Sequence, residues 1–352
     1  MIDINFFMKI HELKQKILKG DSLDKEFIFD EFEKYRSPKP IVYNIETTNN
    51  CNMRCEMCPR TTMMTRKTET LGQETFESVA NQLTPFSAEE WKIWESFVEE
   101  KYKIAPHEMS ENHFFLYIIP KVIQLHGYGD PLLDKRMADR VKILREKRFL
   151  TYFSCNPANI DINRNLEMFE NGLSYIKYSI ETVDDVLHKK IRGKASNFSE
   201  SYKRLLMLLE EKKKHNYKTT IIITMLNLHR SNQKDEFEKL SKAFEGLDVY
   251  IYLKSQDQQW YQDKSEKTKS VHWSEFCQHP WMSMTIKSNG EVVMCMEDFD
   301  NEIILGDAKK ESLYDIWNGE KYAQFRKDQF NLKPEIKCTE QCDMKLIGSF
   351  FS

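Results

Sequence analysis

Three cysteines stand close together early in the chain, Cys51, Cys55 and Cys58, in the pattern C-x3-C-x2-C. Thiolates at such short, fixed spacings hold iron–sulfur clusters. Three of them bind three irons of a four-iron, four-sulfur cluster, and the fourth iron stays open to a ligand that is not protein. Structural zinc is the alternative, but zinc sites use four ligands, and no fourth cysteine or histidine lies nearby. The spacing therefore favours a cluster with one open iron.

The overall composition excludes several classes of protein. The net charge of −3 provides none of the basic surface that nucleic-acid binders show. No apolar run reaches the 18 or more residues of a membrane span. The first residues include Asp3 where a secretory signal needs basic residues. We therefore expect a cytoplasmic protein with reduced cysteines, and neither nucleic acid nor a membrane as a partner.

Apolar segments alternate with helical patterns along most of the chain. This alternation predicts a parallel sheet, and right-handed crossovers close it into a partial (β/α)6 TIM-like barrel. The cysteines directly follow the first strand, and such barrels place their active sites at the C-terminal ends of strands. The fold class is thus α/β with a small C-terminal α+β unit. The predicted strands are 41–45, 122–126, 149–154, 175–181, 219–225 and 249–253.

Changes in composition divide the chain into segments. An aromatic-rich helical insertion opens with Ser87 and Glu90, which form a capping-box pattern. We expect the insertion to be an extra helical layer on the barrel, with a lid or substrate wall as the alternative. The predicted segments are a helical extension of two short helices (1–40), the barrel (41–254) with its insertion (86–118), a polar linker (255–276) and a C-terminal unit (277–352).

Four more cysteines lie in the C-terminal unit: Cys277, Cys295, Cys338 and Cys342. The first two flank a predicted hairpin whose turn contains Asn289-Gly290, a strong hairpin signal. The segment from Ser312 to Asn318 is predicted to lead into a helix that runs through Phe330. Four thiolates make a complete ligand set for one cluster, and they suit zinc equally well.

The first cysteine motif, with its flanks from Ile45 to Arg60, resembles the signature of the radical S-adenosylmethionine (radical SAM) superfamily. The resemblance implies that the three cysteines hold a [4Fe-4S] cluster whose open iron binds SAM. Reduction by a flavodoxin- or ferredoxin-type protein then yields methionine and a 5′-deoxyadenosyl radical. The same resemblance implies a partial barrel fold.

Further residues match places where the family binds SAM. The turn Gly127-Tyr128-Gly129-Asp130-Pro131 resembles the family's glycine-rich motif, with Asp130 in place of the usual Glu. The strand-end residues Ser179 and Glu181 match the place that contacts the ribose, and Arg192 matches a candidate for the SAM carboxylate. Met57 and Asn156 complete the SAM-binding residues that the resemblance implies.

The C-terminal unit resembles the SPASM/twitch extension of radical SAM enzymes, through Pro280-Trp281 and the segment from Leu313 to Asn318. A full SPASM domain has cysteines for two auxiliary clusters. The four cysteines here fit the twitch form, with one auxiliary [4Fe-4S] cluster. Such a cluster can accept the second electron when a substrate radical is oxidised.

These features predict an oxidoreductase that removes hydrogen from a small polar substrate, such as a sugar or aminocyclitol alcohol. The remaining cysteine, Cys155, follows the third strand, where a thiol could return a hydrogen atom in an epimerase. It could equally be a small buried apolar residue. A maturase acting on a precursor peptide is a further alternative, and a zinc-binding structural protein is the alternative from another class.

Overall fold

A computed structural model describes residues 1–255, 277–331 and 333. Its described residues form one nine-stranded sheet in the order β6-β5-β4-β3-β2-β1-β7-β8-β9. The strands are β1 Val42–Ile45, β2 Val122–Gln124, β3 Leu150–Cys155, β4 Tyr175–Ser179, β5 Thr220–Leu226, β6 Tyr250–Lys254, β7 Met284–Ile286, β8 Glu291–Val293 and β9 Ile304–Asp307.

Strands β1 to β6 pair in parallel, each with the next along the chain. Helices follow them, so the predicted partial (β/α)6 barrel is confirmed. The helices are α1 Ile4–Lys9, α2 His11–Leu18, α3 Lys25–Tyr35, α4 Pro59–Thr62, α5 Gln73–Asn81, α6 Ala88–Tyr102, α7 Glu111–His113, α8 Met137–Glu146, α9 Ile162–Glu170, α10 Asp185–Arg192, α11 Phe198–Lys214, α12 Gln233–Ala243, α13 His279–Met282, α14 Leu313–Asn318 and α15 Glu320–Phe330.

The C-terminal hairpin continues the barrel sheet. Strand β7 pairs in parallel with β1, and β8 and β9 then add antiparallel strands. The predicted hairpin is present, and Gly290 of its turn has φ +85°, a conformation that favours glycine. Strand β9 was not predicted. The sheet therefore places β7, the first strand of the C-terminal hairpin, beside the strand that leads into the cysteine loop.

The N-terminal extension packs on the insertion. It contains three helices rather than the predicted two, because α1 and α2 are separate. The Phe7 ring lies edge-on to Trp94 of α6, with centroids 5.3 Å apart, and both rings are buried. Ser87 and Glu90 form the predicted capping box. After α6, a π-helical turn at Phe114–Ile118 places Phe114 with Tyr152 and Ile222 in a cluster inside the barrel.

The helix predicted to end at Phe330 is α15, and the segment that leads into it is itself a helix, α14, which meets α15 at Gly319. A Cβ at Gly319 would lie 2.6 Å from the Asp315 carbonyl oxygen, so the close junction needs glycine. The predicted linker lies outside the described residues except for Ser255, and the domain boundaries stay predictions.

Candidate functional site

A cavity of about 300 Å³ opens at the C-terminal ends of the barrel strands. All the residues predicted to hold the first cluster and SAM line it, together with the remaining barrel cysteine. They are Cys51, Cys55, Met57, Cys58, Gly127, Gly129, Asp130, Cys155, Asn156, Ser179, Glu181 and Arg192. The fold thus brings residues from the ends of β2, β3 and β4, from the end of α10 and from the cysteine loop to one place, while their individual roles stay predictions.

The cysteine loop rests on the C-terminus of α10. The backbone N–H groups of Arg54 and Glu56 donate to the carbonyl oxygens of Arg192 and Ile191, at 3.0 and 2.9 Å. Gly193 follows with φ +97°, and a Cβ there would lie 2.9 Å from the Arg54 nitrogen. The close contact therefore requires glycine, and it fixes the loop relative to Arg192.

The three loop thiols have surroundings suited to iron–sulfur ligation. Burial raises the pKa of Cys51 to about 11 and also raises the pKa of Cys58. Metal binding requires thiolates, so it must release these protons. The Met53 N–H lies 3.4 Å from Cys51 Sγ, and Arg192 Nη1 lies 3.6 Å from Cys55 Sγ. Such donors to sulfur stabilise ligating thiolates.

A [4Fe-4S] cluster fits this arrangement of donors. Three thiols and a guanidinium face a cavity large enough to hold a further group. Among residues 1–255, 277–331 and 333, no three His, Cys, Asp or Glu side chains form a group for a single metal ion. The residues that would hold the cluster are Cys51, Cys55 and Cys58.

The glycine-rich turn packs tightly against the segment that follows β1. A Cβ on Gly127 would lie 2.5 Å from the Glu46 side chain, and one on Gly129 would lie 2.2 Å from the Thr48 carbonyl oxygen. Both positions therefore need glycine because of the cysteine-loop segment behind them. The turn is held there by the Asp130 N–H, which donates to the Asn50 carbonyl at 2.8 Å.

The Asp130 carboxylate organises two neighbouring loops. Its Oδ1 accepts the Leu132 N–H at 3.0 Å, and its Oδ2 accepts the Asn156 N–H at 3.1 Å and Asn159 Nδ2 at 2.8 Å. Burial raises the pKa of Asp130 in spite of these donors. A short side chain suits the contact with a residue two positions ahead, which gives a structural reason for Asp in place of Glu.

Glu181 and Arg192 form a buried ion pair at the cavity wall. Both carboxylate oxygens of Glu181 accept from the Arg192 guanidinium: Oε2 accepts from Nε, and Oε1 accepts from Nη2 at 2.5 Å. Although burial opposes the charge, the Glu181 carboxylate raises the pKa of Arg192 above its ordinary value. Arg230 Nη2 donates to the Glu181 carbonyl at 2.6 Å. The pair fixes Arg192 beside Cys55.

Asn156 offers a hydrogen-bond donor to the cavity. Its Oδ1 accepts the Ala158 N–H at 2.8 Å and the Ser196 hydroxyl at 3.3 Å. Its Nδ2 is buried and has no hydrogen-bond partner in the part of the chain that the structure describes. Buried polar groups are normally paired, so this amide suits a ligand that completes its hydrogen bonding.

The C-terminal cysteines are partly described. Cys277 is buried and Cys295 is half-buried, whereas Cys338 and Cys342 lie outside the described residues. The two residues that follow Cys295, Met296 and Glu297, line the same cavity as the loop cysteines. The Tyr128 hydroxyl of the glycine-rich turn donates to Glu297 Oε2 at 3.3 Å.

Two lysines of the cavity wall were not predicted. Lys177 lies on β4, two residues before Ser179, and Lys254 ends β6. Side chains two apart on a strand share a face. The assignment of Ser179 to the site therefore carried a signal for Lys177 that the sequence analysis did not use.

Two family sequence models match the chain. The radical SAM superfamily model covers residues 45–240, which is more than half of the chain. The SPASM model, an iron–sulfur cluster-binding domain, covers residues 277–343. No functionally curated protein matches the sequence.

Several solved structures are similar to this chain. SuiB of Streptococcus suis bound to S-adenosylmethionine has 12% identity and a TM-score of 0.53, covering 92% of this chain and 83% of SuiB. Native anSMEcpe with bound AdoMet has 13% identity and a TM-score of 0.52, and the match covers 86% of this chain and 88% of anSMEcpe. BtrN in complex with AdoMet and 2-DOIA has 16% identity and a TM-score of 0.47, and the match covers 86% of this chain and 93% of BtrN. With the cysteine loop, the glycine-rich turn and the matched family model together, the chain belongs to the radical SAM superfamily and carries a SPASM-type iron–sulfur domain.

Proposed function

We propose that this enzyme oxidises a small polar alcohol, of the sugar or aminocyclitol kind, by two electrons. The cluster of Cys51, Cys55 and Cys58, when bound, supplies the electron that cleaves SAM to methionine and a 5′-deoxyadenosyl radical. The substrate loses a hydrogen atom to that radical. It then loses a proton and one electron, which one auxiliary [4Fe-4S] cluster of Cys277, Cys295, Cys338 and Cys342 accepts.

One observation carries this proposal: Met296 and Glu297 line the cavity that the loop cysteines also line. They directly follow Cys295, so a cluster held by Cys295 would lie next to the substrate space. That arrangement supports transfer of the second electron from the substrate to the C-terminal domain. The cavity wall also offers the hydroxyl groups of Ser154, Ser179 and Thr224, which suit a substrate with several hydroxyl groups.

The described residues support binding and orientation of SAM. The Asp130 carboxylate fixes the glycine-rich turn, and the ion pair with Glu181 fixes Arg192 at the cavity wall. Asn156 Nδ2 supplies an unused donor. A flavodoxin- or ferredoxin-type protein is the proposed source of the first electron.

The test compares the wild type with Cys295→Ala after anaerobic reconstitution with iron and sulfide. We expect about eight irons per wild-type chain and about four in the variant, since each cluster contains four. Both proteins should form 5′-deoxyadenosine from SAM when reduced. A panel of sugars and aminocyclitols should give an oxidised product only with the wild type. Zinc in place of iron, or no SAM cleavage by the wild type, would contradict the proposal.

A radical epimerase is the second candidate, because Cys155 lines the cavity. Its Sγ lies 3.6 Å from the Lys177 carbonyl oxygen, to which the thiol donates. Burial raises the pKa of Cys155 well above that of an ordinary thiol, which keeps the hydrogen on sulfur. A protonated thiol beside the substrate is what hydrogen-atom return requires.

A peptide substrate is the third candidate. Native anSMEcpe with bound AdoMet and Cp18Cys peptide has a TM-score of 0.50 and 13% identity to this chain. Binding measurements distinguish the candidates, because a peptide must contact surface outside the cavity. If the free alcohol that corresponds to a peptide's side chain binds as tightly as the whole peptide, the result would support the small-molecule proposal.

A further inference from the structure

Lys177 reaches into the barrel from the middle of β4. The residue is 7% exposed, and it lines the cavity described above. Its Nζ lies 5.3 Å from the centroid of the Phe114 ring and 5.8 Å from that of Tyr152. Both rings belong to the cluster inside the barrel. The ammonium therefore lies between an aromatic floor and the open cavity.

The carboxylates around Lys177 are committed to other residues. Glu181 and Glu111 act on it electrostatically. Both Glu181 oxygens bind Arg192, and both Glu111 oxygens accept from Ser255, at 2.9 and 2.7 Å. Across residues 1–255 and 277–331, no carboxylate lies within ion-pair distance of Lys177.

The other ionisable groups near Lys177 are neutral or positively charged. Lys254 and Arg192 both oppose its protonation. His126 lies two residues after β2, and desolvation together with the charge of Lys177 lowers its pKa to about 3. Cys155 keeps its proton. Burial, followed by the charge of Lys254, lowers the pKa of Lys177 to about 7.

A buried charge without a partner is costly, and a bound anion would offset that cost. We propose that Lys177 binds an anionic group of the substrate, a carboxylate or a phosphate, at the base of the cavity. The proposal rests on the proposed function and narrows it to anionic polar substrates. Lys177 lies two residues deeper along β4 than Ser179, whereas Arg192 lies at the wall beside Cys55. The position thus separates this subsite from the residues expected to bind SAM.

Competitive acetylation of the full-length protein tests the subsite without SAM or reductant. Trace acetic anhydride labels lysines, and mass spectrometry compares Lys177 with the exposed Lys213 as an internal reference. Inorganic phosphate and succinate are added in separate arms, with chloride at equal ionic strength as the control. We expect roughly threefold slower labelling of Lys177 alone when the anion is present at about twice its dissociation constant.

The two arms identify the anion: protection by phosphate but not succinate assigns a phosphate-bearing substrate, and the reverse assigns a carboxylate. Equal labelling in phosphate, succinate and chloride overturns the proposal, even if SAM is cleaved normally. Lys177→Met and Lys177→Arg give a second readout. Their affinity for SAM should match that of the wild type, and Lys177→Arg should retain stabilisation by the protecting anion on thermal unfolding. A loss of SAM affinity in Lys177→Met would instead place Lys177 in the SAM site and overturn the proposal.

Discussion

The Glu46 carboxylate binds both Nη atoms of the Arg66 guanidinium, at 2.9 and 3.0 Å, and neither side chain is more than 8% exposed. The same carboxylate accepts the backbone N–H groups of Tyr128, at 3.0 Å, and Ser288, at 3.1 Å. Glu46 therefore joins the exit of β1, the glycine-rich turn and the C-terminal hairpin. Through it, the expected SAM site and the hairpin that leads to Cys295 share one buried anchor.

Replacing Glu46 with Gln should destabilise the protein strongly. The substitution leaves the buried Arg66 without its charge partner, and breaking such pairs costs about 3–5 kcal/mol. Chemical denaturation of the full-length chain measures the change in the free energy of unfolding. Glu245→Gln, on an exposed turn, is the matched control and should change it by less than about 0.5 kcal/mol. Equal effects of the two substitutions would show that Glu46 is not an anchor.

The same pair should make stability depend on pH. Burial alone raises the pKa of Glu46, but the Lys287 ammonium and the Arg66 guanidinium lower it from 4.5 to about 2. A carboxyl group whose pKa is lowered on folding stabilises the folded state at any pH above its ordinary pKa. This contribution disappears as the pH falls from 4.5 towards 2. Denaturation measured across this pH range should show that the free energy of unfolding falls more steeply with acid in the wild type than in Glu46→Gln.

Asp130→Asn should loosen the glycine-rich turn. Oδ2 of Asp130 accepts from two donors, the Asn156 N–H and Asn159 Nδ2. In the variant, an amide nitrogen in place of Oδ2 would face both donors and could accept from neither. Leaving such buried donors unsatisfied costs about 1–3 kcal/mol. Denaturation with and without SAM measures the effect, and weaker stabilisation by SAM would show that the turn contributes to binding. Asp21→Asn, at an exposed position, should behave as the wild type.

Trp94→Ala should separate the N-terminal helices from the insertion. The indole is fully buried, contacts Phe7, and donates from Nε1 to the Leu116 carbonyl at 2.8 Å. Removing a buried tryptophan costs about 3–5 kcal/mol. Ile93→Ala, at a side chain that is 51% exposed, is the control on the same helix. Increased proteolysis of residues 1–36 in Trp94→Ala alone would locate the damage at this interface.

The sequence was most informative where chemically active residues are neighbours along the chain. The spacing of Cys51, Cys55 and Cys58 and the glycines of the turn are local patterns, so both could be recognised without a structure. The apolar segments likewise predicted strands β1 to β6. Even there, the structure supplies a reason for Gly127 and Gly129 that no local pattern contains, since each glycine is needed for contact with the segment after β1.

Features that depend on distant pairing were not predictable. Strand β7 joins β1 although Met284 and Val42 are far apart in sequence, and no local pattern encodes that pairing. Phe114 of the insertion lies beneath Lys177, whereas the aromatic stripe predicted an extra helical layer, with a lid or substrate wall as the alternative, and did not single out this residue. Lys177 lies in a strand among Tyr175, Ile176 and Tyr178; the face that it shares with Ser179 is a local signal, but the depth of its side chain in the cavity depends on the closed barrel.

Cys58→Ser should remove one cluster and leave the other. The loop would keep two of its three expected ligands, so reconstituted protein should lose about four irons per chain. Iron and sulfide analysis measures the loss, and SAM cleavage should stop because the open iron is gone. Cys155→Ser, which changes a cavity cysteine outside both expected ligand sets, is the control and should keep its full iron content. An unchanged iron content in Cys58→Ser would contradict the assignment of the loop.

Cys155 provides the sharpest distinction between oxidation and epimerisation. Its thiol lines the cavity and contacts the Lys177 carbonyl oxygen, so Cys155→Ala and Cys155→Ser both remove the transferable hydrogen at nearly constant volume. If the enzyme oxidises its substrate, both variants should keep product formation within roughly threefold of the wild type, a loss below about 1 kcal/mol of transition-state stabilisation. If it epimerises, both should cleave SAM without forming product. Reactions in deuterated water add an independent measurement, because only a thiol that returns hydrogen would place solvent deuterium on the product carbon.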